Sequence, residues 1–246
     1  MKKISFMVFL IYFVVAPLAV SAFSEPENLK LSFGKWLAKG SFKILVGVTN
    51  AEISHSSISD IPEADPDRFM KPRTGFLGGI GYEVGSKFGL EIDLLYFQKG
   101  VMFKGAVSEE NAGISANFDA TARINELSVP VLAKFRLFPA PTPYVICGGE
   151  IAYILSSKAI YDFTNITEGE SQSGIEEYKE GVNRLDYGLV FGGGVEFKAG
   201  PVHIFIEGRY HVGLADIAGL DPNIPEVKKE DWIKTNAIVV FIGVKL

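Results

Sequence analysis

Apolar and polar residues change places at period two in one stretch after another from Phe42 onward, while helical spacing is weak. The clearest stretch is 183–197. There Leu185, Tyr187, Leu189, Phe191, Val195 and Phe197 share one face, and Arg184, Asp186, Gly188, Gly192, Gly194 and Glu196 share the other. In 202–214, Val202, Ile204, Ile206, Tyr210 and Val212 oppose His203, Phe205, Glu207, Arg209 and His211. In 235–246, Ile238, Val240, Ile242, Val244 and Leu246 oppose Ala237, Val239, Phe241, Gly243 and Lys245. Weaker versions occupy 42–49, 74–84, 88–103, 121–137 and 144–157. Together they predict eight strands, most of them reaching the roughly nine residues that a tilted membrane strand needs.

The connections between these segments alternate in length. Residues 85–87, 138–143 and 198–201 are short and carry turn chemistry, as in Gly85-Ser86-Lys87, Pro139-Ala140-Pro141-Thr142-Pro143 and Lys198-Ala199-Gly200-Pro201. Residues 50–73, 104–120, 158–182 and 215–234 are long and largely polar. Short periplasmic turns facing long external loops characterise outer-membrane barrels. The expected fold is therefore all-β: an eight-stranded antiparallel transmembrane β-barrel spanning 42–246.

In such a barrel the apolar face meets lipid and the polar face lines the interior. That assignment sends Lys43, Glu83, Glu91, Asp93, Glu126, Lys134, Arg136, Glu150, Arg184, Asp186, Glu196, His203, Glu207, Arg209, His211 and Lys245 inward. An eight-strand interior is just wide enough for side chains to fill it. Unpaired buried charges are costly, so this set predicts an ion-paired plug, with glycines such as Gly81 and Gly194 making room for it. A soluble ligand-binding barrel would reverse the two faces. Export, the tyrosines Tyr96, Tyr153, Tyr187 and Tyr210, and the loop asymmetry favour the membrane.

The N-terminus supplies the export signal. Lys2 and Lys3 precede an apolar run from Ile4 to Val20, and Val20-Ser21-Ala22 offers a cleavage site. Residues 1–22 are expected to be a signal peptide and 23–41 a periplasmic lead. The net charge of −5 gives no support to nucleic-acid binding. A single cysteine, Cys147, excludes an internal disulfide and a zinc cluster.

Candidate chemistry is sparse. His203, Glu207 and His211 share a face, but strand residues four apart lie about 13 Å apart, too far to share one metal. Membership of an internal polar network is the simpler account, as it is for the pair Glu91 and Asp93. Pro130 falls mid-strand and predicts a bulge or bend. Cys147 falls on the lipid face. No catalytic residue, metal or cofactor is assigned.

Several strands resemble those of the PorT-like outer-membrane barrel family of Bacteroidetes-type bacteria. Leu127-Ser128-Val129-Pro130-Val131-Leu132-Ala133-Lys134 resembles that family's LEIPLLLK strand, and Pro143-Tyr144-Val145-Ile146-Cys147-Gly148-Gly149 its PYVGAGP strand. The run Asp186 to Phe197 resembles DFGLVLGAGVEF, and Glu207-Gly208-Arg209-Tyr210 with Gly213-Leu214 resembles EARYSLGL. The chain departs from many outer-membrane proteins in ending on Leu246 rather than an aromatic residue. The resemblance implies an outer-membrane barrel, with a link to type nine secretion through PorT itself. The expected role is that of a non-enzymatic structural or interaction protein, an accessory of secretion or envelope assembly. Its expected partners are outer-membrane lipid, the barrel insertion machinery and a protein met through the external loops. A small porin-like channel and a barrel enzyme (a lipid A hydrolase or an omptin-like protease) are the alternatives.

Overall fold

The computed structural model describes residues 39–54, 70–109, 114–139, 141–165, 170–178, 183–215 and 234–246. The expected signal peptide and almost all of the expected lead lie outside them, as do most of the first and fourth long connections. Residues Phe42–Leu246 form a compact unit.

Nine antiparallel strands are present among the described residues. They are β1 (Ser41–Ser54), β2 (Met70–Gly85), β3 (Phe88–Glu109), β4 (Ile114–Arg136), β5 (Thr142–Asn165), β6 (Glu170–Tyr178), β7 (Leu185–Ala199), β8 (Val202–Gly213) and β9 (Lys234–Lys245). Eight of them close a ring in the order β1-β2-β3-β4-β5-β7-β8-β9, with β9 returning to β1. The seam runs in register from Lys43↔Lys245 to Ser54↔Lys234. The Leu246 amide donates to the Phe42 carbonyl at 2.8 Å, so the last residue of the chain is tied to the first strand. The expected all-β antiparallel barrel is the fold observed.

The alternation has a direct physical outcome. Side chains of the apolar face, such as Ile44, Val46, Val48, Tyr187, Phe191, Ile206, Ile238, Val240 and Ile242, are exposed on the outer wall. Their polar neighbours point inward and are buried. Water on that wall would be an unfavourable solvent; hydrocarbon is a suitable one. The interior is not purely polar, however. Leu45, Leu77, Leu95, Phe97, Phe205, Val239 and Phe241 form one buried apolar cluster, and Leu132, Tyr144, Ile146 and Val190 another.

Two expectations need correction at the loop end. Residues 104–109 and 114–120, expected in a loop, are strand, because β3 and β4 continue in unbroken pairing out to Glu109↔Ile114. Residues 158–182 likewise hold the outer half of β5 and the whole of β6, which pair from Ser157↔Tyr178 to Asn165↔Glu170. Strands β3, β4 and β5 are 22, 23 and 24 residues long, about twice what the membrane requires. The barrel wall thus continues beyond the bilayer as a four-stranded sheet, β3-β4-β5-β6. At the opposite end the connections are short, and Gly85 (φ 106°) and Gly200 (φ 66°) occupy the left-handed turn positions there.

Pro130 does not create the expected bulge. Pairing of β4 with β5 passes through Pro130↔Glu150 without a shift, and the irregularity falls between Asn125 and Glu126, opposite Leu155. On its other side, pairing with β3 lapses between Ile92↔Val131 and Leu95↔Ser128 and resumes in the same register. The missing N–H is absorbed by this local gap rather than by an extra residue.

Candidate functional site

The ring carries buried carboxylates from six of its strands: Glu83, Glu91, Asp93, Glu126, Glu150, Asp186, Glu196 and Glu207. The buried cations Lys43, Lys99, Lys134, Arg209 and Lys245 face them. Removing such ions from water costs several kcal/mol apiece unless they pair, so their placement has to be read as a network.

At the turn end, Arg136 on β4 pairs with Glu83 on β2 and donates to the Ser86 carbonyl, and its Nη2 lies 3.8 Å from Glu196 Oε2. Lys245 on β9 pairs with Glu196 and reaches Glu83 at 3.4 Å. His203 Nδ1 lies 2.7 Å from Glu196 Oε1, with the ring partly exposed at the rim. In the middle of the lumen, Arg209 Nη2 on β8 lies 2.6 Å from Glu91 Oε1 and 2.8 Å from Asp93 Oδ2, and its Nε donates to Glu207. Lys43 on β1 pairs with Glu91 and lies 3.1 Å from Asp93 Oδ1. Lys134 lies 2.7 Å from Glu83 Oε2 and 3.4 Å from Glu91 Oε2. Nearer the loop end, Lys99 lies 2.7 Å from Glu126 Oε1 and 3.6 Å from Asp186 Oδ2. Ser128 donates to Glu150 Oε2 at 2.8 Å, His211 Nδ1 is 2.9 Å from the same oxygen, and Thr235 donates to Asp186 at 3.2 Å.

The apolar interior residues take part. The Lys134 ammonium stands 3.7 Å from the centre of the Tyr144 ring, and the Arg209 guanidinium 4.7 Å from that of Phe241. Space for the long side chains comes from glycine. A Cβ at Gly81 would stand 2.0 Å from Asp93 Oδ1 and 2.9 Å from Lys43 Cε, and one at Gly194 would stand 2.6 Å from the Tyr144 hydroxyl.

Ring order gives the central contacts their meaning. Strands β3 and β8 stand four places apart in a ring of eight, so they face each other across the full width of the barrel. The Arg209 contacts with Glu91 and Asp93 therefore span the lumen. Side chains, rather than a column of water, occupy the axis at this level.

The sequence placed most of this network. Arg184 is the exception: it is half-buried just before β7 and joins none of these ion pairs among the described residues. Lys99, Tyr144 and Thr235 were not in the expected set. Lys99 was within reach of the argument, since it continues the inward parity of Glu91 and Asp93 along β3. His203, Glu207 and His211 are each engaged by a different neighbour: Glu196, Arg209 and Glu150. Among the described residues, no group of three or more His, Cys, Asp or Glu side chains stands close enough to hold a metal ion. Cys147 is exposed on the outer wall.

With this geometry in place, comparison with known proteins supplies the family. The model of the outer membrane protein beta-barrel domain matches residues 37–219, about three-quarters of the chain. The chain belongs to the outer membrane protein beta-barrel domain family. No curated protein matches it. Among solved structures, this barrel is similar to Ail, the attachment invasion locus protein of Yersinia pestis. The identity is 18% and the TM-score 0.36, over 84% of this chain and 99% of that one. It is also similar to OprG from Pseudomonas aeruginosa (12% identity, TM-score 0.39, 84% and 94% covered). The outer membrane protease OmpT from Escherichia coli is a third match, at 8% identity and TM-score 0.24, with the same coverages. Family membership and the lipid-compatible outer wall make this an outer-membrane protein. The narrower PorT-like kinship is a matter of proposal.

Proposed function

We propose that this protein is a closed, non-enzymatic barrel that holds an external β-sheet in place for contact with another protein, as a PorT-like accessory of secretion or envelope assembly. One observation carries the reading: ion pairs between opposite strands, Arg209 with Glu91 and Asp93, fill the axis of the lumen. A barrel so filled offers a solute no wide path, whereas the extended β3-β4-β5-β6 sheet offers a partner a rigid platform. The strand resemblances at 127–134 and 186–197 support the secretion link.

The test has two arms. Reconstituted in planar bilayers, the purified barrel is expected to show no steady ion conductance; a stable open level would favour the porin-like alternative. Deletion of the gene is then expected to deplete secreted proteins from the culture supernatant while the outer-membrane proteome is otherwise preserved. An unchanged secretome would remove the secretion role and leave the platform reading without that partner.

A further inference from the structure

The outer wall carries a feature that neither the lumen nor the external sheet accounts for. Neighbouring strands set out successive rows of side chains along it. Tyr96, Leu127, Tyr153 and Leu185 are paired in register across β3, β4, β5 and β7 on this wall. Two residues farther out stand Gln98, Asn125 and Ser156, with Asn125 donating to Ser156 at 2.9 Å, beside the exposed side chains of Phe76 and Leu155. The row after that holds Gly100, Arg123 and Lys158. Tyrosine girdles mark the membrane interface. At about 3.3 Å per residue on a tilted strand, this row stands about 10 Å beyond the tyrosines, outside the hydrocarbon and at the headgroups.

Arg73 completes the row from β2. Pairing of β2 with β3 shifts register between Pro72↔Val101 and Leu77↔Phe97, and Arg73 follows the last pair before the shift, beside Gly100. Its side chain lies over that bare glycine, where an added Cβ would stand 3.1 Å from Arg73 Cδ. Arg73 and Arg123 thus flank one strand on the same face. Burial and, after it, the Arg123 charge push the Arg73 pKa below the ordinary arginine value. Both side chains are half-exposed, and among the described residues Arg73 Nη1 and Arg123 Nε have no hydrogen-bond acceptor. Of the acids farther out on this face, Asp119 is engaged by Lys104 at 3.0 Å, and Asp162 lies four residues beyond Lys158.

Two adjacent guanidinium groups with unused donors make a geometry suited to a phosphate, which accepts from both forks at once. We propose that Arg73 and Arg123, astride Gly100, bind the phosphate of a phosphorylated glycolipid in the outer leaflet. The location selects a lipid over a soluble anion: the pair opens onto the membrane-facing wall, directly above its aromatic girdle.

The full-length barrel, folded in detergent, is titrated with bisphosphorylated lipid A, with its enzymatically dephosphorylated form and with inorganic phosphate, and bound lipid is counted by native mass spectrometry. Phosphorylated lipid A is expected to bind at least tenfold more tightly than the dephosphorylated form, with millimolar inorganic phosphate failing to displace it. R73Q/R123Q is expected to remove that preference, while K104Q keeps it; folding of each is checked by heat-modifiable mobility on gels. Equal binding of the two lipids by the native protein would overturn the proposal without reference to any variant. So would a full preference in the folded double variant, or displacement by inorganic phosphate at its own low concentration.

Discussion

Single residues differ in weight according to where they stand. Arg209 contacts Glu91, Asp93 and Glu207 at the centre of the lumen, and its side chain is fully buried. Arg209→Met would leave three carboxylates short of a partner. The expected loss is about 3–5 kcal/mol of folding free energy, read by urea titration of the barrel in lipid vesicles. Lys104→Ala removes an ion pair whose partners are both half exposed, and the same titration is expected to move by less than about 1 kcal/mol. At Gly81 the obstacle is steric: Gly81→Ala drives a methyl group into Asp93 and Lys43, with an expected cost of about 1–3 kcal/mol. Equal effects of R209M and K104A would contradict the buried network.

Among the elements, legibility follows the solvent. Within the membrane, lipid on one face and a packed lumen on the other force strict alternation, and 185–197, 202–214 and 235–246 could be read almost residue by residue. Beyond the membrane both faces of a strand can meet water. Nothing then compels alternation, so Glu-Ser-Gln-Ser-Gly-Ile-Glu-Glu-Tyr reads as a polar loop although it is β6. The outer halves of β3, β4 and β5 escaped notice for the same reason. The lumen set was legible because parity along a strand is unambiguous; Lys99 was lost only because β3 was not followed far enough. The bulge opposite Leu155 left no proline or glycine signature, whereas Pro130 drew attention to a place where the ladder merely lapses. Since the external sheet hangs from the barrel rather than building it, excising 104–119 and 158–180 and joining each pair of ends by a short turn is expected to leave a heat-modifiable barrel. A chain that no longer folds would show that the sheet is part of the barrel's own stability.

For the whole molecule, the asymmetry of the two ends fixes orientation. Short turns lie at one end and the extended hairpins at the other, which sets the hairpins outside the cell. In a Cys147→Ser background, a cysteine at Lys104 is expected to react with a membrane-impermeant maleimide on intact cells, and one at Ser86 only after the outer membrane is breached. The reverse pattern would invert the barrel. Native Cys147, on the lipid wall, is expected to resist the impermeant reagent in both conditions.

The cross-lumen ion pairs also bear on how the barrel comes into being. Lys43 stands on the first strand and Lys245 on the last, yet their carboxylate partners lie on β2, β3 and β7. The contact of Lys245 with Glu83 crosses the β9–β1 seam, so it forms only when the ring closes. The lumen's charges meet all of their partners only once β9 docks on β1 and the ring is closed.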